Sequence, residues 1–152
     1  MRQLIIARKD LNMIPGKLAA QCCHASNAFF INNLTLDFDF NGYPFEITGS
    51  KKCEMTFETT WEIYDKWITD IFTKTICEAK NLNHLLKAKK IAEELGLEED
   101  KDFFIIKDNC LTELTPEEID EEGIGKVITC IGFKPLDDET AWKISKKYQL
   151  YK

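Results

Sequence analysis

The stretch Pro15-Gly16-Lys17-Leu18-Ala19-Ala20-Gln21-Cys22-Cys23-His24-Ala25 decides how the chain is read. It follows a short apolar run, Leu4-Ile5-Ile6-Ala7, which reads as a buried strand. Proline is tolerated at a helix start, where its missing N–H would have no partner anyway. Ala19, Ala20, Ala25 and Ala28 are spaced for close helix packing. The pattern predicts a helix from about Pro15 to Ile31, stopped at Asn32-Asn33. A helix N-terminus offers free N–H groups and a partial positive charge, which suits an anion, and Lys17 adds a full charge there. Lys17, Gln21 and His24 fall at i, i+4 and i+7 and share one face. The plain alternative is a solvated Lys17 and a hydrogen-bonded core His24.

Working outward, 152 residues fit one domain with a respectable core. At 44% hydrophobic and 30% charged the composition is that of a soluble globular protein. No apolar run approaches the roughly 20 residues of a membrane span, and no signal peptide is visible, so a cytoplasmic setting is expected. Six cysteines without Cys-x-x-Cys spacing point to reduced thiols, with neither a zinc site nor a redox motif. The net charge of −6 resides in one segment, since Glu113, Glu117, Glu118, Asp120, Glu121 and Glu122 supply six carboxylates. The remaining acidic and basic side chains balance at 20 each, which permits an RNA partner without indicating one.

Strands are expected at 2–8, 71–79, 102–107 and 127–133, the last ended by Pro135. The segment 34–58 alternates apolar and acidic residues around Asn41-Gly42, the signature of an inserted β-hairpin. Residues 60–68 have helical spacing, with Trp61, Tyr64 and Ile68 on the packed face. Asn81 caps a further helix that Gly96 ends. The acidic run 113–122 follows the third strand as a loop or short helix, and Asp137 or Asp138 caps a last helix running toward Tyr151. The order predicts a single α/β domain with a mixed, mainly parallel four-stranded sheet flanked by helices, containing one antiparallel pairing.

Residues 16–25 resemble the Gly-Lys-x-Ala-Ala-Gln-Cys-x-His-Ala signature of the peptidyl-tRNA hydrolase 2 family, the archaeal and eukaryotic type. Asp108 with Thr112 is similar to that family's Asp-Ala-Gly-x-Thr segment. Thr129-Cys130-Ile131-Gly132-Phe133-Lys134-Pro135 resembles its closing strand, and Lys147-Tyr148-Gln149-Leu150-Tyr151 its tail. The likeness covers residues 3–33 and about 60–151. The chain departs from the pattern at Asn109-Cys110, where the family has Ala-Gly, at Glu113, where it has Gln, and around Gly125-Lys126-Val127. It is thus a divergent member, with an insertion at 34–58 and an acidic loop.

The resemblance implies hydrolysis of the ester joining a peptide to the terminal ribose of tRNA, without a metal or other cofactor. Such chemistry needs an activated water and stabilisation of a developing oxyanion. By resemblance, Lys17 faces the oxyanion or the terminal phosphate, and Asp108 orients Lys17 or activates the water. Thr112 and Thr129 position water or substrate, with Gln21 and His24 in support. The implied partner is peptidyl-tRNA, with no membrane, and family members often pair as homodimers. A Cys22 or Cys23 nucleophile with His24 is disfavoured, because helix neighbours point about 100° apart. The acidic run motivates a second reading, a non-catalytic tRNA- or protein-binding protein that keeps the fold.

Overall fold

A strand buried on both faces reads as a continuous apolar run, and Leu4, Ile5, Ile6 and Ala7 are all buried in the computed structural model, which describes residues 1–36 and 55–152. They belong to β1 (Arg2–Arg8), which leads into α1 (Pro15–Asn32). The short strands β2 (Leu34–Leu36) and β3 (Met55–Phe57) pair antiparallel with each other. The arms and turn expected between them, including Asn41-Gly42, lie outside the described residues. A single helical turn, α2 (Trp61–Ile63), continues as a π-helical turn through Tyr64–Ile68. Then come β4 (Lys74–Ala79), α3 (Leu82–Glu94), β5 (Phe103–Asp108), β6 (Glu118–Ile119), β7 (Gly125–Leu136), α4 (Asp138–Ser145) and β8 (Gln149–Leu150).

The principal sheet has the order β5-β7-β1-β4-β8, with β6 also paired to β7. The mixed α/β class with flanking helices is as expected. β1, β4 and β5 run one way, yet only β1 and β4 pair in parallel. The expectation of a mainly parallel sheet with one antiparallel pairing is therefore corrected. The long β7 runs opposite to β1 and β5 and lies between them, so it converts both of its main contacts to antiparallel ladders. Two short strands, β6 and β8, extend the expected four.

Alternation along β1 sends side chains to opposite faces. Leu4 and Ile6 join Leu85, Ala88 and Ala92 of α3 and Ala141 and Ile144 of α4 on one face. Ile5 and Ala7 join Cys22 and Ala25 of α1 on the other. There α1 comes so close to β7 that a Cβ at Gly132 would lie 2.8 Å from the Ala25 carbonyl carbon and closer still to its oxygen.

Several local expectations are corrected. Ile63 and Trp67, four positions apart, are the buried side chains of 61–68, whereas Trp61 is 74% exposed and Tyr64 faces outward too. The packed face is one residue-step from the one expected, and the π-helical turn carries Trp67 beneath Phe72. Ala19 and Ala20 face solvent, so Ala25 carries the close packing. Pro135 does not end β7, which continues to Leu136. It lies beyond Phe133, the last residue that β5 reaches, and at the register shift of β1 between Gln3 and Ile5, where a missing N–H is tolerated. The last helix stops at Ser145, and Gln149–Leu150 pair with β4 instead. Of the loop or short helix expected for the acidic run, the loop is what forms, with Glu118–Ile119 paired to β7 as β6.

Candidate active site

The carboxyl end of β5 places Asp108 against the first two turns of α1. Lys17 Nζ forms an ion pair with Asp108 Oδ2 at 2.6 Å, and Gln21 Nε2 donates to the same oxygen at 2.8 Å. The other oxygen, Oδ1, accepts from the Cys110 N–H at 2.8 Å. Lys17 Nζ also donates to Thr112 Oγ1 at 3.3 Å. Lys17, Gln21, Asp108 and Thr112 thus converge. With His24, they line a cavity of about 640 Å³ whose remaining wall includes Ile105, Ile106 and Leu111.

Burial acts to raise the Asp108 pKa. The Lys17 ion pair, the Cys110 N–H and the Gln21 amide outweigh it and hold the carboxyl below its ordinary range. Asp108 is therefore an ionised acceptor at neutral pH.

Thr129 lies elsewhere. It is fully buried beneath α1 and does not line the cavity. Its hydroxyl oxygen is 2.7 Å from Gln21 Oε1 and 3.2 Å from the Ile106 carbonyl. One hydroxyl has one proton to give, and the shorter contact takes it. Thr129 thus fixes which end of the Gln21 amide faces Asp108, in a chain running Thr129 to Gln21 to Asp108 to Lys17. His24 is exposed on the cavity wall and makes no side-chain hydrogen bond among the described residues, against the expectation of a structural bond.

Three features escaped the sequence. The first is the Cys110 backbone, which has φ +53°, the left-handed conformation that glycine adopts freely. The turn after Asp108 survives although cysteine stands where the resemblance has glycine, and the Asp108 side chain bonding two residues ahead was its available signal. The second is Glu113, whose carboxylate accepts from the Ile14 N–H at 3.2 Å and ties the Thr112 loop to the start of α1. The third is the treatment of the acidic run. Arg8, only 2% exposed, bonds both Glu117 oxygens at 2.6 Å and both Asp10 oxygens at 2.7 and 3.1 Å. Lys107 pairs with Glu118 and Lys126 with Asp120. Much of the run's charge is spent inside the molecule, which weakens the motive for a non-catalytic reading.

Cys22 and Cys130 offer no rival nucleophile. Burial, reinforced by Cys23, pushes the Cys22 thiol up to about 11, and burial pushes Cys130 up to about 12.

A mixed sheet with an ionic cleft at a strand's carboxyl end is the architecture of an α/β enzyme that binds its ligand at the sheet edge. The chain belongs to the family described as peptidyl-tRNA hydrolase PTH2, whose model matches residues 1–151. This is an enzyme family that hydrolyses peptidyl-tRNA. Among similar proteins are the peptidyl-tRNA hydrolase of Methanothermobacter thermautotrophicus, 29% identical over 99% of both chains, and that of Nanoarchaeum equitans, 28% identical over 99% of both. The peptidyl-tRNA hydrolase of Thermoplasma acidophilum is 25% identical over 98% of this chain and 97% of its own. Among the described residues, no helix is long and apolar enough to cross a membrane.

Proposed function

We propose that this chain hydrolyses the ester between the peptide and the terminal ribose of peptidyl-tRNA, releasing free tRNA and peptide, with Lys17 and Asp108 at the reacting centre. The observation that carries this is the ion pair of Lys17 and Asp108 in the wall of an open cavity. An ammonium has three N–H donors. Asp108 and Thr112 take two of them, and the third serves the ester oxygen as it becomes an oxyanion, or a phosphate beside it. A general base works best with a pKa near the operating pH. Asp108, held below its ordinary range by three donors, is poorly suited to removing a full proton. Its role is to orient Lys17 and to hold the attacking water by a remaining lone pair. Thr112 offers its hydroxyl proton to substrate or water, because its oxygen already accepts from Lys17. Gln21 and Thr129 are positioning residues, and the exposed His24 imidazole on the cavity wall takes the proton that the attacking water gives up and returns it to the ribose oxygen as the ester C–O bond breaks. The setting is the cytoplasm, where translation supplies the substrate, and the working unit is a homodimer, which sedimentation tests.

The decisive experiment is cleavage of an N-blocked aminoacyl-tRNA by the wild type and by Lys17→Ala. Cleavage by the wild type and loss in the variant is expected. No cleavage by the wild type would remove the proposal.

A further inference from the structure

The carboxyl ends of β1, β4 and β5 lie at one end of the sheet, so Asp108 shares that end with the residues that follow β4. There Lys80, Asn81, Asn83, His84, Lys87 and Lys147 line a groove of about 380 Å³ that includes no carboxylate. It continues into a second groove, of about 240 Å³, that shares His84, Lys87 and Lys147 and adds Lys90, whose charge is met there by Glu94. Lys80, Lys87 and Lys147 are all exposed, and none forms an ion pair among the described residues. This contrasts with lysines such as Lys66, Lys101 and Lys143, each of which is paired to a glutamate. The groove's shape is fixed: His84 stacks on Tyr148 with ring centroids 4.3 Å apart, and the Tyr148 hydroxyl donates to the His84 carbonyl at 2.7 Å. The His84 imidazole is held below its ordinary pKa by burial and then by Lys87 and Lys80, which marks the groove as electropositive.

The distance also fits. β5 and β4 are separated by three strand steps, about 15 Å at the usual strand spacing. α3 and α4 cover the face opposite α1, so the groove and the cleft flank the same sheet end from its two faces. A nucleic acid whose 3′ end enters the cleft carries further phosphates across that edge. Unpaired lysines converging from two chain segments on a groove free of carboxylates are the electrostatic footprint of a phosphate backbone.

We infer that the groove of Lys80, Lys87 and Lys147 holds backbone phosphates of the tRNA, at a distance from the ester being cleaved. The inference rests on the hydrolase function proposed above. It extends that function by separating where the RNA is gripped from where the bond breaks.

The test uses the combined variant Lys80→Ser, Lys87→Ser, Lys147→Ser and a control that removes Lys66, Lys101 and Lys143 in the same way. Two substrates are compared, an N-blocked aminoacyl-tRNA and the same N-blocked aminoacyl ester of adenosine. The groove variant should raise KM for the tRNA substrate about tenfold, with kcat within about twofold. The adenosine ester should be cleaved at the wild-type rate. The salt dependence of tRNA binding should become shallower by about 3 in log–log slope, near one unit per lysine. An unchanged KM, an equal loss on both substrates, or an equal rise in KM for the control would each overturn the inference. If the wild type cleaves neither substrate, the hydrolase function fails, and anisotropy with deacylated tRNA then decides the groove by itself. Weaker binding by the groove variant alone would support it, and equal binding by all three proteins would refute it.

Discussion

Lys17 Nζ meets Asp108 Oδ2 at 2.6 Å, although one stands in the first turn of α1 and the other closes β5. Neither side chain moves alone. Lys17 is held between Asp108 and Thr112, and Asp108 between Lys17, Gln21 and the Cys110 N–H. Lys17→Ala should lower kcat on peptidyl-tRNA by about 100-fold or more, the usual cost of losing one donor to an oxyanion. Lys17→Arg should recover only part, because a planar guanidinium does not replace a point charge in that space. Steady-state kinetics checks both.

Thr129 separates positioning from contact. Thr129→Val leaves Gln21 Oε1 without its buried donor, and should cost about 1–3 kcal/mol in stability. It should also lower kcat more than it raises KM, as the Gln21 amide loses its fixed orientation. Thr129→Ser keeps the hydroxyl and should restore kcat. Urea melts and the split of kcat against KM together decide the role, since a merely structural threonine would leave kcat near the wild-type value.

Arg8 anchors the acidic segment. Its guanidinium is enclosed, while its partners Asp10 and Glu117 keep partial access to water. Arg8→Met should therefore cost about 2 kcal/mol, less than breaking a fully buried pair. Arg8→Lys should cost nearly as much, because an ammonium cannot bond both carboxylates and the Ile128 carbonyl in the same plane. Thermal melts of both variants test the expectation.

Cys110 occupies the left-handed region. Cys110→Gly should raise stability by up to about 1 kcal/mol, since relief of the side chain's strain outweighs glycine's extra chain entropy. Cys110→Val should lower it, because a β-branched residue is a marked outlier there. Equal melting temperatures for the two variants would contradict the backbone assignment.

Stability toward acid follows from Asp102. Burial raises its pKa, but Lys134 and the Glu98 N–H outweigh burial, so the folded value lies below the ordinary 3.8. Its contribution is thus present above about pH 4 and is lost as pH falls through the lower folded value. The melting-temperature advantage of wild type over Asp102→Asn should be largest near neutrality and should shrink below about pH 4. An advantage that grows on acidification would reverse the sign.

Local chemistry made much of this legible. Pro15 opening a helix, Asn81 and Asp137 capping two others, and the i, i+4 spacing of Lys17 and Gln21 act within one turn of chain, and the structure keeps each of them. What escaped depends on distant partners. β7 lies between β1 and β5, which no periodicity encodes, and Pro135 remains in its strand because of where the neighbouring strands end. Trp67 rather than Trp61 is the buried tryptophan of 61–68, and it lies in a π-helical turn that the 3.6-residue period does not describe. Arg8 and Glu117 are separated by 109 positions and carry no motif.

The seam between Gly132 and Ala25 has a mechanical consequence. Backbone touching backbone leaves α1 no room to slide along β7, so the wall bearing Lys17 and Gln21 behaves as a fixed jaw. Any widening of the cleft to admit a bulky peptide must come from the opposite side, the loop from Asn109 to Leu114, whose tether to that jaw includes the Glu113 carboxylate.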